Sequence, residues 1–214
     1  MSTPTSRIGN VAARSKTREK NLAVILKAAE VVFAQQGFNG TRLSEIAKEA
    51  KLPKANLLYY FKSKEEIYRT LCQEILELWL SALGDISASD KPHDALRSYI
   101  EAKMDLSLRR PNASKVFALE IIAGAPVIGD YLSDDLKHWV SKQVEVFKIW
   151  QSRGEMADLS PQHVLFLIWA ATQTYADFDT QINAVLGTKT LSANEYQKAV
   201  HTVTEIILRG VSVK

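Results

Sequence analysis

Residues 41–66 read TRLSEIAKEAKLPKANLLYYFKSKEE, and this stretch decides the fold. Leu43, Ile46, Ala47 and Ala50 recur at helical spacing and turn one face of a short helix inward. Lys51-Leu52-Pro53 interrupts the period, because Pro53 has no N–H to continue a helix and fixes its own φ. The period resumes from Lys54 to Phe61, where Leu57 and Phe61 stand one turn apart. Ser63 and Glu66 form the spacing of a capping box for a further helix that starts at Lys64. Two short helices about a tight turn make a helix-turn-helix, whose second helix offers its N-terminal end to the major groove of DNA. Lys54, Ala55 and Asn56 occupy that end. Asn can pair with adenine through two hydrogen bonds, and Lys can reach guanine acceptors or phosphate. With Leu57 and Phe61 inward, Tyr59 and Tyr60 look outward, where their hydroxyls suit phosphate. Lys64 adds charge at a helix start, where backbone N–H groups also favour an anion. The same residues also fit an ordinary three-helix unit with tyrosines at its rim.

Working outward, helical period dominates the chain. Upstream, residues 1–16 read as a disordered basic arm. A first helix follows from about Thr17 to Gln36, with Ile25, Ala29, Val32 and Phe33 on one face and Gly37 as its stop. Downstream, the helix from Lys64 extends to about Leu83. Another starts near Pro92 and ends before Pro111. A short one carries Val116, Phe117, Glu120 and Ile121 and stops at Gly124-Ala125-Pro126. A longer one runs from Leu132 through Trp150 to about Gly154. Ser160 caps the next, with Pro161 at its first position, as far as Leu186. Ser192 opens the last, which Gly210 ends. The class is all-α: a helix-turn-helix over 17–63, then a helical domain over 64–214.

Charge divides the same way. Residues 1–64 carry a formal charge of +8 and residues 65–214 carry −5, within a net +3. A basic head on an acidic body points the head at a polyanion. The chain's 214 residues are 46% hydrophobic and 24% charged, which excludes global disorder. The longest apolar run, Val164 to Ala171, is too short to span a membrane, and the basic N-terminus lacks a signal-peptide core. A cytoplasmic protein without membrane association is the expectation. Cys72 is the single cysteine, so disulfides and a cysteine-based zinc site are excluded. His93, His138, His163 and His201 fall on four different helices without partners at ligand spacing, so no metal is expected. Glu120 among apolar neighbours suggests a satisfied ion pair. No phosphate loop or nucleophile elbow occurs, and neither catalytic residues nor a cofactor is expected.

Gly37, Thr41, the Ile46-Ala47 pair, Ala50, Leu57, Phe61, Lys64 and Glu65 together resemble the DNA-binding signature of the TetR family of regulators. The resemblance implies three N-terminal helices for operator DNA and a C-terminal helical domain for a small effector and homodimerisation. It adds Thr41 and the neighbouring Arg42, at the start of the second helix, to the DNA-facing set of Lys54, Ala55, Asn56, Tyr59, Tyr60 and Lys64. Lys51 departs from the family, which usually has glycine at this turn position. Pro53 replaces the usual Ser/Thr cap, and Leu58 replaces a common tyrosine.

In the body, the apolar run from Val164 to Ala171 has no polar face, so it is covered on every side. Core on one side and a partner subunit on the other is the simplest cover. The stripe of the last helix, with Val200, Val203 and Ile207, completes a symmetric interface. A wholly internal helix of a monomer is the alternative. Trp169, Gln173 and Asp177 lie one turn apart on one face, with Trp79, Phe117, Tyr99 and Lys103 on other helices. An aromatic plate beside a fixed amide suits a flat polar ring, although core aromatics with a satisfied glutamine produce the same pattern. Residues 78–80 (LWL), 123–126 (AGAP), 168–170 (IWA), Gln173 and 175–178 (YADF) resemble the TetR-family regulators of pyrimidine utilisation. That resemblance implies uracil or thymine as effector, with Trp79, Phe117, Trp169 and Gln173 as its contacts. A TetR-like repressor of efflux or lipid genes is one alternative. An all-α enzyme or scaffold with a non-specific basic head is another.

Overall fold

The computed structural model describes residues 6–81 and 86–213, with side chains from residue 17 onward. Every regular element among them is helical. The chain divides into two compact units, residues 1–72 and 73–214.

The first unit holds α1 (Ser6–Gly40), α2 (Leu43–Glu49), α3 (Lys54–Tyr60) and the opening turns of α4 (Lys64–Ser81). The arm expected over 1–16 is helical from Ser6 onward, and residues 1–5 lie outside the described residues. Ala12, Ala13, Arg14 and Lys16 are good helix formers, and lengthening an existing helix needs no new nucleus. Helical geometry breaks at Gly37, as expected, where φ is 66° and ψ 176°. Glycine alone adopts that backbone without a steric cost. Ile25, Ala29, Val32 and Phe33 bury against Ile46, Ala47, Leu57 and Phe61. Phe33 and Phe38 meet the Tyr68 ring at centroid distances of 4.8 and 4.9 Å. Ser63 Oγ accepts from Glu66 N at 3.2 Å, but the Glu66 carboxylate reaches back to Lys62 N, one residue earlier than a standard box. The expected end of α4, near Leu83, lies outside the described residues.

The second unit holds the rest of α4, then α5 (Pro92–Arg109), α6 (Pro111–Ile122), the short α7 (Gly129–Tyr131), a π-turn over Leu132–Leu136, α8 (Lys137–Ser152), α9 (Pro161–Asp177), α10 (Asp179–Val185) and α11 (Ala193–Val211). α9 is central, packed by α5, α6, α8 and α11. Leu96, Tyr99, Ile100, Phe147, Trp150, Leu165, Ile168 and Leu208 form its core.

Four helix boundaries differ from expectation, each through tertiary contacts. The helix expected to reach Leu186 breaks at Phe178 (φ −115°, ψ 29°). There Asp177 accepts from Ser114 Oγ at 2.5 Å and Asp179 from Lys115 Nζ at 2.8 Å, so consecutive residues of α6 hold both sides of the bend. Gly210 does not end α11, because Val211 beyond it is buried and its carbonyl accepts from Ala157 N at 2.8 Å. Ser160 stands at the N-cap of α9 without accepting from the helix; its hydroxyl instead faces Gln162 Oε1 at 3.3 Å. The helix expected from Leu132 opens as α7 and the π-turn. Glu120, expected in an ion pair, is buried and accepts the backbone N–H groups of Val127 and Ile128 at 2.7 and 3.2 Å. That clip fixes the turn after α6, where Ala125 takes φ 54° ahead of Pro126.

Candidate functional site

In the first unit, Arg42, Lys54, Ala55, Asn56 and Tyr59 are exposed, while Leu57 and Phe61 turn inward as their spacing requires. The turn that aims α3 closes through Lys51 N to Lys48 O and Leu52 N to Ala47 O, at 3.1 and 3.0 Å. Lys51 takes φ 55°, the left-handed geometry that its place in the turn implied. Pro53 supplies the N-cap of α3 with φ −57°, without a side-chain acceptor.

Three residues expected to face DNA are engaged inside the unit instead. Thr41 is buried, and its hydroxyl donates to Gly37 O at 2.8 Å, because the broken end of α1 leaves that carbonyl without a helical donor. Tyr60 is half-buried and its hydroxyl accepts from Asn21 Nδ2 at 2.8 Å. Lys64 Nζ donates to Phe38 O and Thr41 O at 2.7 and 3.0 Å and lies 4.4 Å from the Phe38 ring centroid.

In the second unit, a cavity of about 400 Å³ brings together Trp79 of α4, Phe117 of α6, and Trp169 and Gln173 of α9. Its size lies within the range of small-molecule sites. Trp79 and Phe117 meet edge to face at 4.6 Å, and Trp169 Nε1 donates to the Tyr99 hydroxyl at 2.6 Å. Leu76, Leu80, Ile121, Ile122, Leu132 and Leu136 complete much of the wall.

Lys103 and Asp177 also line this cavity, although neither stood among the expected contacts. Lys103 is buried, with Nζ 4.5 Å from the Trp79 ring centroid. Burial pushes its amine down to about 8, against the opposing pull of the Asp177 carboxylate. Burial raises Asp177 above the ordinary carboxylate range, partly offset by the Ser114 hydroxyl and the ammoniums of Lys103 and Lys115. Both groups therefore shift toward their neutral forms: desolvation outweighs their mutual attraction. Lys103 was visible in the sequence as a lone charge on the apolar stripe Leu96, Tyr99, Ile100 and Met104. Asp177 was visible one turn beyond Gln173. The cavity thus offers aromatic faces, an amide that both donates and accepts, a cation and a carboxylate.

On α11, Ile207 is buried in the core of its own chain, so it does not face a partner as expected; Val200 and Val203 are half-buried, and Ile206 is exposed. Successive helical residues differ by about 100°, which places Ile206 outside when Ile207 points in. On α9, Phe166 and Leu167 are exposed, so the apolar run is covered on one side only. Among the described residues no cluster of His, Cys, Asp or Glu could hold a metal ion, and no helix is long and apolar enough to cross a membrane. Cys72 is buried.

Residues 25–71 match the family described as bacterial regulatory proteins, tetR family, and residues 71–214 match the YcdC-like protein, C-terminal region. The HTH-type transcriptional regulator RutR of Escherichia coli K12 is 39% identical over 198 residues, which cover 92% of this chain and 93% of that protein. The HTH-type transcriptional repressor NicS of Pseudomonas putida is 30% identical over 108 residues, 50% of this chain and 51% of its own length. Among solved structures, the ketosteroid transcriptional regulator KstR2 of Mycobacterium tuberculosis superposes with a TM-score of 0.73 at 21% identity, covering 90% of this chain and 95% of that one. A transcriptional regulator of Streptomyces coelicolor gives 0.70 at 20% identity, covering 90% and 98%. These two likenesses carry the fold alone. With the helix-turn-helix and both family matches in register with the two units, the chain belongs to the TetR family of DNA-binding transcriptional regulators, which are not enzymes.

Proposed function

We propose that this regulator works as a homodimer whose operator binding is relieved when a planar pyrimidine base, uracil or thymine, enters the cavity of the second unit. The observation that carries this reading is Gln173 in the wall of a cavity lined by Trp79, Phe117 and Trp169. Uracil presents an imide N–H flanked by carbonyls; the Gln173 amide can accept from the former and donate to the latter. Lys103 can donate to a second carbonyl, and the indole rings supply faces for stacking. The similarity to RutR over most of both chains favours the same effector class. α4 is one helix from Lys64 to Ser81, so a ring ordered against Trp79 acts on the helix that begins in the DNA-binding unit. The exposed apolar residues Phe166, Leu167 and Ile206 are suited to cover by a second copy.

The predominantly aliphatic wall favours a second reading, a hydrophobic effector. A thermal-shift panel of uracil, thymine, cytosine and decanoate separates the two. A ligand at a hundred times its Kd stabilises by about 2.7 kcal/mol. The same compounds are then titrated into the complex with a duplex that the protein recovers from a randomised pool. Uracil or thymine should release the duplex from the parent, whereas the Gln173→Ala protein should hold it. Stabilisation by decanoate alone would replace the pyrimidine with a lipid-like effector.

A further inference from the structure

We propose that Lys64 acts in DNA binding as a positioning residue, by locking the corner between α1 and α2, and that it does so with an ammonium turned away from the phosphate backbone. The corner begins where Gly37 leaves helical geometry, at φ 66° and ψ 176°. A chain that turns there strands carbonyls that no helical N–H can reach. Side chains satisfy them: Thr41 Oγ1 donates to Gly37 O at 2.8 Å, and Lys64 Nζ donates to Phe38 O at 2.7 Å and to Thr41 O at 3.0 Å. An ammonium has three N–H groups, so two are committed to the corner. The charge also lies 4.4 Å from the Phe38 ring centroid. Phe38 in turn meets Phe33 and Tyr68 at 6.2 and 4.9 Å, and both of those rings are buried. Lys64 thereby ties the first turn of α4, the corner and the core into one rigid set.

This set governs where the DNA-facing residues stand. Thr41 O, held by Lys64, directly precedes Arg42, whose own carbonyl receives the first helical N–H of α2 from Glu45 at 3.0 Å. α2 then fixes α3 through the turn bonds at Lys51 and Leu52. The direction in which the chain leaves the corner thus sets the aim of Arg42, Lys54 and Asn56 together. Removing the ammonium leaves two carbonyls without their donor and frees that direction. Conversely, a phosphate could take those two N–H groups only by unlocking the corner.

The test uses the full-length protein and a duplex of about 30 base pairs recovered by the parent from a randomised pool. Affinity is read by fluorescence anisotropy between about 50 and 200 mM KCl for the parent, Lys64→Met, Lys64→Arg and the outward-facing comparison Lys54→Met. Lys64→Met should bind about tenfold more weakly at every salt concentration, with an unchanged slope of log K against log salt. Lys64→Arg, whose guanidinium can donate to both carbonyls, should recover most of the loss. Lys54→Met should lower the slope by about 0.9, the mark of one lost phosphate contact. A similar fall in slope for Lys64→Met, or an unchanged affinity, would overturn the proposal. Should Lys64→Met not fold, NMR of the parent decides. The Lys64 ε-methylene protons, assigned by their disappearance in Lys64→Arg, should be shifted by the Phe38 ring and stay shifted when the duplex is saturating. Their return to an ordinary position on DNA would show that the ammonium leaves the corner, and the proposal would fail.

Discussion

Replacing Lys103 with methionine should stabilise the empty protein at neutral pH and remove a pH dependence that the parent carries. Lys103 is 4% exposed, and its amine is displaced from an ordinary 10.5 to about 8, chiefly by burial. That displacement corresponds to about 3 kcal/mol of preference for the neutral amine. The cation–π contact with Trp79, 4.5 Å away, opposes it by about 1 kcal/mol. Below pH 8 the lysine is charged in both folded and unfolded chains, so the cost of burying the ammonium is fully present. Between about pH 8 and 10.5 the unfolded chain holds a proton that the folded chain has lost, and parent stability rises with pH. Lys103→Met should therefore exceed the parent by about 2 kcal/mol at pH 7 and lose that lead by pH 10.5. Urea unfolding of both proteins across this range measures the difference, in which titrations common to both cancel. Uracil affinity should fall in the same variant, since the methionine cannot donate to a ring carbonyl. A variant less stable than the parent at pH 7, or a difference that does not change with pH, would refute the desolvation argument.

Three further perturbations bear on other parts of the molecule. Lys51→Gly relieves a left-handed φ of 55°, and after the greater freedom of glycine in the unfolded chain is subtracted it should stabilise by about 0.5–1 kcal/mol in chemical denaturation; Lys51→Ala, which keeps the strain, should not. Asn56→Ala should relax discrimination at one base pair by about 1–3 kcal/mol in competition binding across all single-base variants of the selected duplex, leaving other positions unchanged. Ile206→Glu should give folded monomers in sedimentation velocity, whereas Ile207→Glu should lose its helical circular dichroism at ordinary temperature, because only the second side chain is buried in its own chain. A dimeric Ile206→Glu protein would move the interface off this face of α11.

The all-helical class, the turn at Lys51 to Pro53, the inward Leu57 and Phe61, and the exposed Lys54, Asn56 and Tyr59 were all legible in the sequence. Each depends on local spacing or on the backbone limits of one residue, which the chain carries without reference to its fold. The break at Gly37 was legible for the same reason. Trp79, Phe117, Trp169 and Gln173 were legible as one set only through family resemblance, since they come from three separate helices. What the tertiary structure alone decided is where each polar side chain spends its hydrogen bonds. Thr41 and Lys64 turn inward because the broken end of α1 leaves carbonyls that nothing else nearby can satisfy. α9 ends at Asp177 because Ser114 and Lys115, more than sixty residues earlier, hold both sides of the bend. Lys103 and Asp177 become cavity residues because α5 and α9 pack together, which brings a buried cation and a carboxylate toward the same space. Periodicity tells which face of a helix is apolar, but a stranded carbonyl or a desolvated charge exists only once distant segments have met.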